Sequence, residues 1–262
     1  MKKNIDYYDE IYVTASMMKV YDYLADELRI PDKKIVPFGT EKLFLGGREP
    51  LAQFYNTDSE AIVLQLLLER MKLSLSTVKY IEIGTHNPVR GSNSYFLYAA
   101  GARGVLLDPL PITARLAKTF RPEDRMISAA ITGVAGKTTA TFYESSALAS
   151  SSLHKDFYKE FDPREGRHIV DSYTVPLIGI NELFDKVGFT PDVLLVDAEG
   201  EDEAIVRGIE LKRYRPKILM VEVDHCDEVG LAEYMQQKGY LWFTTVNYTN
   251  AVFVDERVYH VE

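Results

Sequence analysis

The spacing of apolar residues changes near residue 77 of this chain. Before it, Met17, Tyr21, Leu24 and Leu28 stand at helical intervals with Pro31 beyond them as a stop, which predicts a helix over 17–28. Residues 37–50 contain Gly and Pro without a period and read as loop. Thr57-Asp58-Ser59-Glu60 has the form of a capping box, with Thr57 accepting from the third helical amide and Glu60 reaching back. The helix it opens runs through Leu66, Leu67 and Met71. Residues 1–76 thus read as a helical N-terminal extension, either a cap over an active site or an arm for homo-oligomerisation.

From residue 78 the pattern becomes one of short apolar runs alternating with helical stretches. Strands are expected at 78–83, 104–107, 125–131, 193–196 and 217–223, and helices at 94–100 and 203–211. The end reads YLWFTTV, then Asn247-Tyr248-Thr249-Asn250, then AVFV, a closing antiparallel hairpin. Such alternation predicts an α/β domain, a parallel sheet with helices on both faces, over residues 77–262. A Ser-rich loop, SSALASSS, covers 145–152, and there is no internal repeat.

Composition narrows the function classes. The 262 residues are 46% hydrophobic and 26% charged, ordinary for a soluble globular chain. A net charge of −9 with no basic cluster beyond Lys212-Arg213-Tyr214-Arg215 argues against a nucleic-acid partner. The first residues, MKKNIDYYDEIY, lack the apolar core of a signal peptide. The longest apolar run, 61–68, is broken by Gln65 and too short for a membrane span. A single cysteine, Cys226, excludes an internal disulfide and a multi-cysteine metal site, reads as a small buried residue, and suits a reducing cytoplasm.

TGVAGKTTATF, residues 132–142, contains the Gly-Lys-Thr of a phosphate loop but fails its count. Ile131 stands where the first glycine belongs, and TTATFY favours a strand over the required helix. A glycine turn in a hairpin, with Lys137 solvated, is the expectation. The loop after the first strand, YIEIGTHNPVRGSNSYFLYAAGARGVLLDP, is a stronger candidate for ligand binding. Gly84 permits a sharp turn and close approach of a ligand. Asp108 ends the second strand, where a carboxylate accepts ribose hydroxyls in nucleoside-cofactor folds. The loop lacks the Gly-x-Gly-x-x-Gly spacing of a dinucleotide site. A cofactor with ribose and no pyrophosphate, S-adenosylmethionine, fits better.

These residues resemble a family. IEIGTHNPVRGSNSYFLYAAGARGVLLDPLP is similar to the first motif of the FkbM-type S-adenosylmethionine-dependent methyltransferases, with Glu82 where Asp is commoner and Asn93-Ser94 where Asn-Thr is commoner. The likeness continues through SAAITGVAGKTTATFYESSALASSSL and ends with IGINELFDKVGFTPDVLLVDAEGEDEAIVRGIELKRYRPKILMVEVD, which carries the Asp-x-Glu-Gly signature. It covers about residues 78–255. It implies a Rossmann-like class I methyltransferase, with a mostly parallel seven-stranded sheet whose seventh strand is antiparallel in the closing hairpin. Glu82 and Gly84 would face the methionyl and ribose end of the cofactor, His86 and Asn93 would line its pocket, Asp108 would hold the ribose diol, and Ser128 and Ala129 would lie beside adenine.

For the chemistry, Asp197 and Glu199 of Asp197-Ala198-Glu199-Gly200 are the preferred catalytic pair, because residues two apart on an extended segment share a side. The alternative is that one caps the next helix and the other is solvated. A divalent metal held by the pair to orient a diol lacks a further ligand in the spacing. His86 is either functional or loop-stabilising. His225, in VEVDHCDE near Glu222 and Asp224, is a candidate substrate-side base, and His154 a candidate for the acceptor site. His168 and His260 read as surface residues. The reaction read from the chain is O-methylation of a small-molecule, sugar or glycan hydroxyl. A nicotinamide-dependent enzyme and a non-catalytic binding module on the same fold are the alternatives.

Overall fold

The computed structural model describes residues 60–134, 136–161 and 163–259, together with two short strands, β1 (Ile11–Val13) and β2 (Ile35–Pro37), which pair in parallel. The helix expected over 17–28 and the capping residue Thr57 lie outside the described residues. The chain then runs α1 (Glu60–Arg70), β3 (Tyr80–Ile83), α2 (Tyr95–Ala99), β4 (Val105–Leu107), α3 (Pro111–Phe120) and β5 (Arg125–Ile127). Next come β6 (Ala130–Thr132), β7 (Thr139–Ser145), β8 (Ile169–Gly179), α4 (Ile180–Val187), β9 (Val193–Val196) and α5 (Asp202–Gly208). Last are β10 (Ile218–Glu222), α6 (Glu228–Gln237), β11 (Tyr240–Val246) and β12 (Asn250–Asp255).

Seven strands form one sheet in the order β11-β12-β10-β9-β3-β4-β5. β12 is antiparallel to both of its neighbours and the other pairings of this sheet are parallel, the Rossmann-like arrangement that the sequence implies. From β3 the chain builds outward through β4 and β5, then returns at β9 to build the other half. The β3–β9 seam is therefore the topological switch point, outside whose carboxyl ends ligands bind in open α/β sheets.

Continuous apolar strands need cover on both faces. Ile81 and Ile83, Leu194 and Val196, and Leu219 and Val221 turn one way, onto Leu183 and Phe184 of α4, Ile205 of α5 and Met235 of α6. Tyr80, Val193, Leu195, Ile218 and Met220 turn the other way, onto Leu64, Leu67 and Leu68 of α1 and Phe96 of α2. The α1 stripe is fully buried, so this helix is a wall of the sheet's own core. Glu60, at its start, accepts from the Asn247 and Asn250 side-chain amides of the β11–β12 turn, at 3.3 and 3.2 Å.

Two expectations are corrected. The single strand over 125–131 is two: β5 pairs with β4 at the edge of the large sheet, whereas β6 pairs with β8 in a separate three-stranded sheet ordered β6-β8-β7. No glycine or proline interrupts the stretch, but Ser128 is exposed and marks the step between sheets. TGVAGKTTATF is likewise no hairpin. β6 and β7 do not pair with each other; β8 arrives from later in the chain and lies between them, parallel to β6 and antiparallel to β7. Lys137 is exposed, as expected. Gly133 has a different task from a turn: a Cβ there would lie 1.8 Å from the Ala204 carbonyl oxygen, so α5 packs backbone-to-backbone on the end of β6.

Helices α3, α4 and α6 add to the expected elements. α3 opens on Pro111, whose missing N–H costs nothing at a helix start. No helix among the described residues is long and apolar enough to cross a membrane. Because Leu64 is fully buried against the sheet, Leu64→Ala should cost about 2–5 kcal/mol of folding stability in urea unfolding. An unchanged midpoint would detach α1 from the core.

Candidate active site

The carboxyl ends of β3, β4 and β9 surround one pocket. Of the residues singled out from the sequence, Glu82, Gly84, His86, Asn93, Asp108, Ala129, Asp197 and Glu199 line it. Ser128 does not line it, because it points to solvent at the step between sheets. His225 does not either: it packs edge-on against Phe157 and Phe161, with ring centroids 4.6 and 5.7 Å away.

Gly84 is required by the seam itself. Its φ is +79°, and a Cβ would lie 1.6 Å from the Asp197 carbonyl oxygen. The close approach foreseen for a ligand is thus made by the end of β9, which brings Asp197 into the site. His86 follows with φ +47°, a strained conformation for a side-chain-bearing residue. Asp108 holds that turn: Oδ2 accepts from His86 N–H at 2.7 Å and Oδ1 from Leu110 N–H at 2.8 Å. Burial pushes its carboxyl up to about 6, against the pull of these two donors. Thr113 Oγ1 donates to the His86 carbonyl at 2.6 Å. Burial also pulls the His86 imidazole down to about 4, so it is neutral at pH 7. Its Nε2 is buried and hydrogen-bonds to no group among the described residues.

Glu82 has a role that the sequence did not reveal. Its carboxylate binds its own loop, accepting from Ser92 Oγ, from Asn93 N–H at 2.9 Å and from Ser94 Oγ at 2.7 Å. Behind it lies Arg121, completely buried at the end of α3. Arg121 reaches Glu82 at 3.4 Å, Asp124 at 2.7 Å, and the Pro88 carbonyl at 3.0 Å. It also donates to the hydroxyls of Tyr80, Ser92 and Ser94. Burial pushes the Glu82 carboxyl up, and the guanidinium is the main force opposing it.

After β9 the chain makes a tight turn, with Glu199 at φ +49° and Gly200 at φ +103°. Asp202 satisfies the turn's amides, accepting from Ala198 N–H at 2.6 Å and Gly200 N–H at 3.0 Å. The amides of the turn are thus taken by Asp202, and no side chain among the described residues caps α5. Asp197 and Glu199 come together through the left-handed residue rather than through extended alternation.

A third carboxylate, Glu222, joins them. β9 and β10 are in register with Val196 opposite Val221, so Asp197 and Glu222 are the next residues along each strand. The three carboxyl groups offer oxygens within 4.8 Å of one another, a set able to hold a divalent cation. In the signal VLLVD and LMVE, two apolar runs each ending in an acid, the third group was readable once the strands were known to be neighbours. Burial first, and repulsion from a neighbouring carboxylate second (Asp202 for Asp197, Asp197 for the two glutamates), push Asp197 up to about 7, Glu199 to about 9 and Glu222 to about 11. The protons leave this set stepwise, because carboxylates so close resist being ionised together.

Among the other histidines, exposed His154 pairs with Glu201 at 3.0 Å beside the Glu199 turn, which Ser152 Oγ also binds through the Glu199 carbonyl at 2.7 Å. His168 is exposed, and His260 lies outside the described residues.

The three raised values imply a stability slope. Unfolded carboxyls titrate near about 4, so between that pH and the folded values the folded chain binds more protons and loses stability as pH rises. Glu222→Gln removes the charge and keeps the shape. In chelator-treated protein it should melt higher than the parent at pH 9, with the difference shrinking towards pH 5 in calorimetry. A pH-independent difference would remove Glu222 from the titrating set.

The model of the FkbM methyltransferase domain matches residues 82–242, which include every lining residue named above. Searches of the curated proteins and of the solved structures return no match. With its matched span covering more than half of the sequence, its sheet order and its motif residues gathered at the switch point, the chain belongs to the FkbM methyltransferase domain family.

Proposed function

We propose that this protein transfers a methyl group from S-adenosylmethionine to a hydroxyl of a small-molecule, sugar or glycan acceptor. The observation that carries the reading is the meeting, in one pocket at the β3–β9 seam, of Asp108 with the Asp197–Glu199 pair. The residues fit such a cofactor. A buried carboxylate at the end of β4 suits a ribose diol, and the unpaired His86 Nε2 suits a polar group of the ligand. Several acids suit a sulfonium better than an anion.

The bound cofactor supplies a methyl already activated by positive sulfur, and the protein's task is alignment and proton removal. Alignment of two reactants is worth roughly 7–11 kcal/mol in good cases. Of the three clustered carboxyls, Glu199 and Glu222 keep their protons to higher pH, which leaves Asp197, near 7, as the group that takes the acceptor's proton at neutral pH. The left-handed Glu199 turn keeps Asp197 and Glu199 on one side. A second reading has Asp197, Glu199 and Glu222 hold a divalent cation that orients the acceptor oxygen, and the third carboxylate favours it. Loss of turnover on chelation and recovery with Mg²⁺ would select that reading. The reducing cytoplasm is the proposed setting.

Calorimetry should show binding of S-adenosylmethionine and S-adenosylhomocysteine, weakened by Asp108→Ala. Absence of binding by either at millimolar concentration would sink the reading. Asp197→Asn should lower kcat by about 10²–10⁴-fold with little change in cofactor affinity. In the parent, kcat should rise as pH increases through about 7, since Asp197 must lose its proton to act, and the rise should vanish in the variant. Full activity of Asp197→Asn would refute the assignment.

A further inference from the structure

The charges of the pocket lining are unequal. Glu82, Asp108, Asp197 and Glu199 contribute carboxyls, and Arg90 is the only lysine or arginine in the lining among the described residues. The buried Arg121 supplies no charge to a ligand, because its donors are taken by Glu82, Asp124, the Pro88 carbonyl and three hydroxyls. Arg90 differs. It stands exposed at the rim, and its guanidinium makes no bond to the described residues.

The backbone beneath Arg90 is held firmly. Asn87 Oδ1 accepts from Val89 N–H at 3.0 Å and Arg90 N–H at 2.9 Å, an Asx-type turn. One residue before that pair, the Pro88 carbonyl is held by Arg121; just after it, Ser92 and Asn93 are held by Glu82. The loop is clamped on both sides of an arginine that lines the pocket and stays exposed.

S-adenosylmethionine carries a sulfonium, an α-ammonium and an α-carboxylate. The acids of the pocket suit the first two and repel the third. We infer that Arg90 is the counter-ion of the cofactor's α-carboxylate, binding it through its planar fork and thereby anchoring the amino-acid tail at the first loop. This rests on the cofactor reading above. It assigns a binding residue to a part of the ligand that no other lining side chain matches in charge.

The test compares two ligands. S-adenosylhomocysteine carries the amino-acid tail, and 5′-methylthioadenosine carries the same nucleoside and a thioether without it. Arg90→Ala should raise the Kd for S-adenosylhomocysteine roughly 10-fold or more, as loss of a charge-assisted pair predicts, and leave that for 5′-methylthioadenosine within about twofold, as expected for an untouched nucleoside site. Arg90→Lys should restore part of the loss, and the gap between parent and Ala variant should narrow in high salt. Because the residue is exposed, the melting temperature should not move. Equal losses for both ligands, or no loss for either, would overturn the inference while the cofactor reading stands. A parent protein that binds neither ligand would overturn both.

Discussion

A fully buried arginine is tolerated only where its charge and its donors are matched, since leaving one partner alone inside a protein costs about 3–5 kcal/mol. Arg121 meets that condition by joining pieces of chain that are far apart in sequence. It joins the first strand of the large sheet through Tyr80 and Glu82, the loop through Pro88, Ser92 and Ser94, and the approach to β5 through Asp124. Asp124 in turn accepts from Tyr80 Oη at 2.7 Å and from Gly104 N–H at 2.8 Å, at the start of β4. The long polar loop after β3, which would otherwise be a flexible excursion, is thereby fixed from beneath. Of the lining residues on that loop, Asn93 takes its position from this cluster, while Asp108 holds the His86 turn.

The opposite wall of the pocket follows the contrary logic. Asp197, Glu199 and Glu222 are brought together without a cation of the protein among them; Arg167 only partly offsets the repulsion at Glu199. Such a cluster is destabilising when ionised, and the turn that creates it is itself strained at Glu199. The contrast is informative. One acid, Glu82, is compensated within the fold and serves architecture, while the other three meet no such compensation among the described residues.

Legibility of the sequence followed from whether a neighbour in space was also a neighbour in the chain. VLLV at β9 and the closing hairpin were readable because burial on both faces and a turn-flanked pair leave local marks. The run over 125–131 carried the same mark yet divides between two sheets, since β4 and β8 claim different halves of it. Of the site residues, those on the first loop and after β9 sit at strand ends, where position alone argues for a ligand. Ser128 and His225 also sit at strand ends, and there the argument failed, because the side chains turn to solvent and to Phe157.

The chain's own residues determined the kind of sheet, the place of its seam and the acids at its edge, because apolar periodicity and glycine positions act over a few residues. Only the folded arrangement decided that Gly84 makes room for the β9 backbone and that Glu222 joins Asp197. Each of these depends on strand register and on contacts across the sheet. No short window of sequence contains both partners of such a pair.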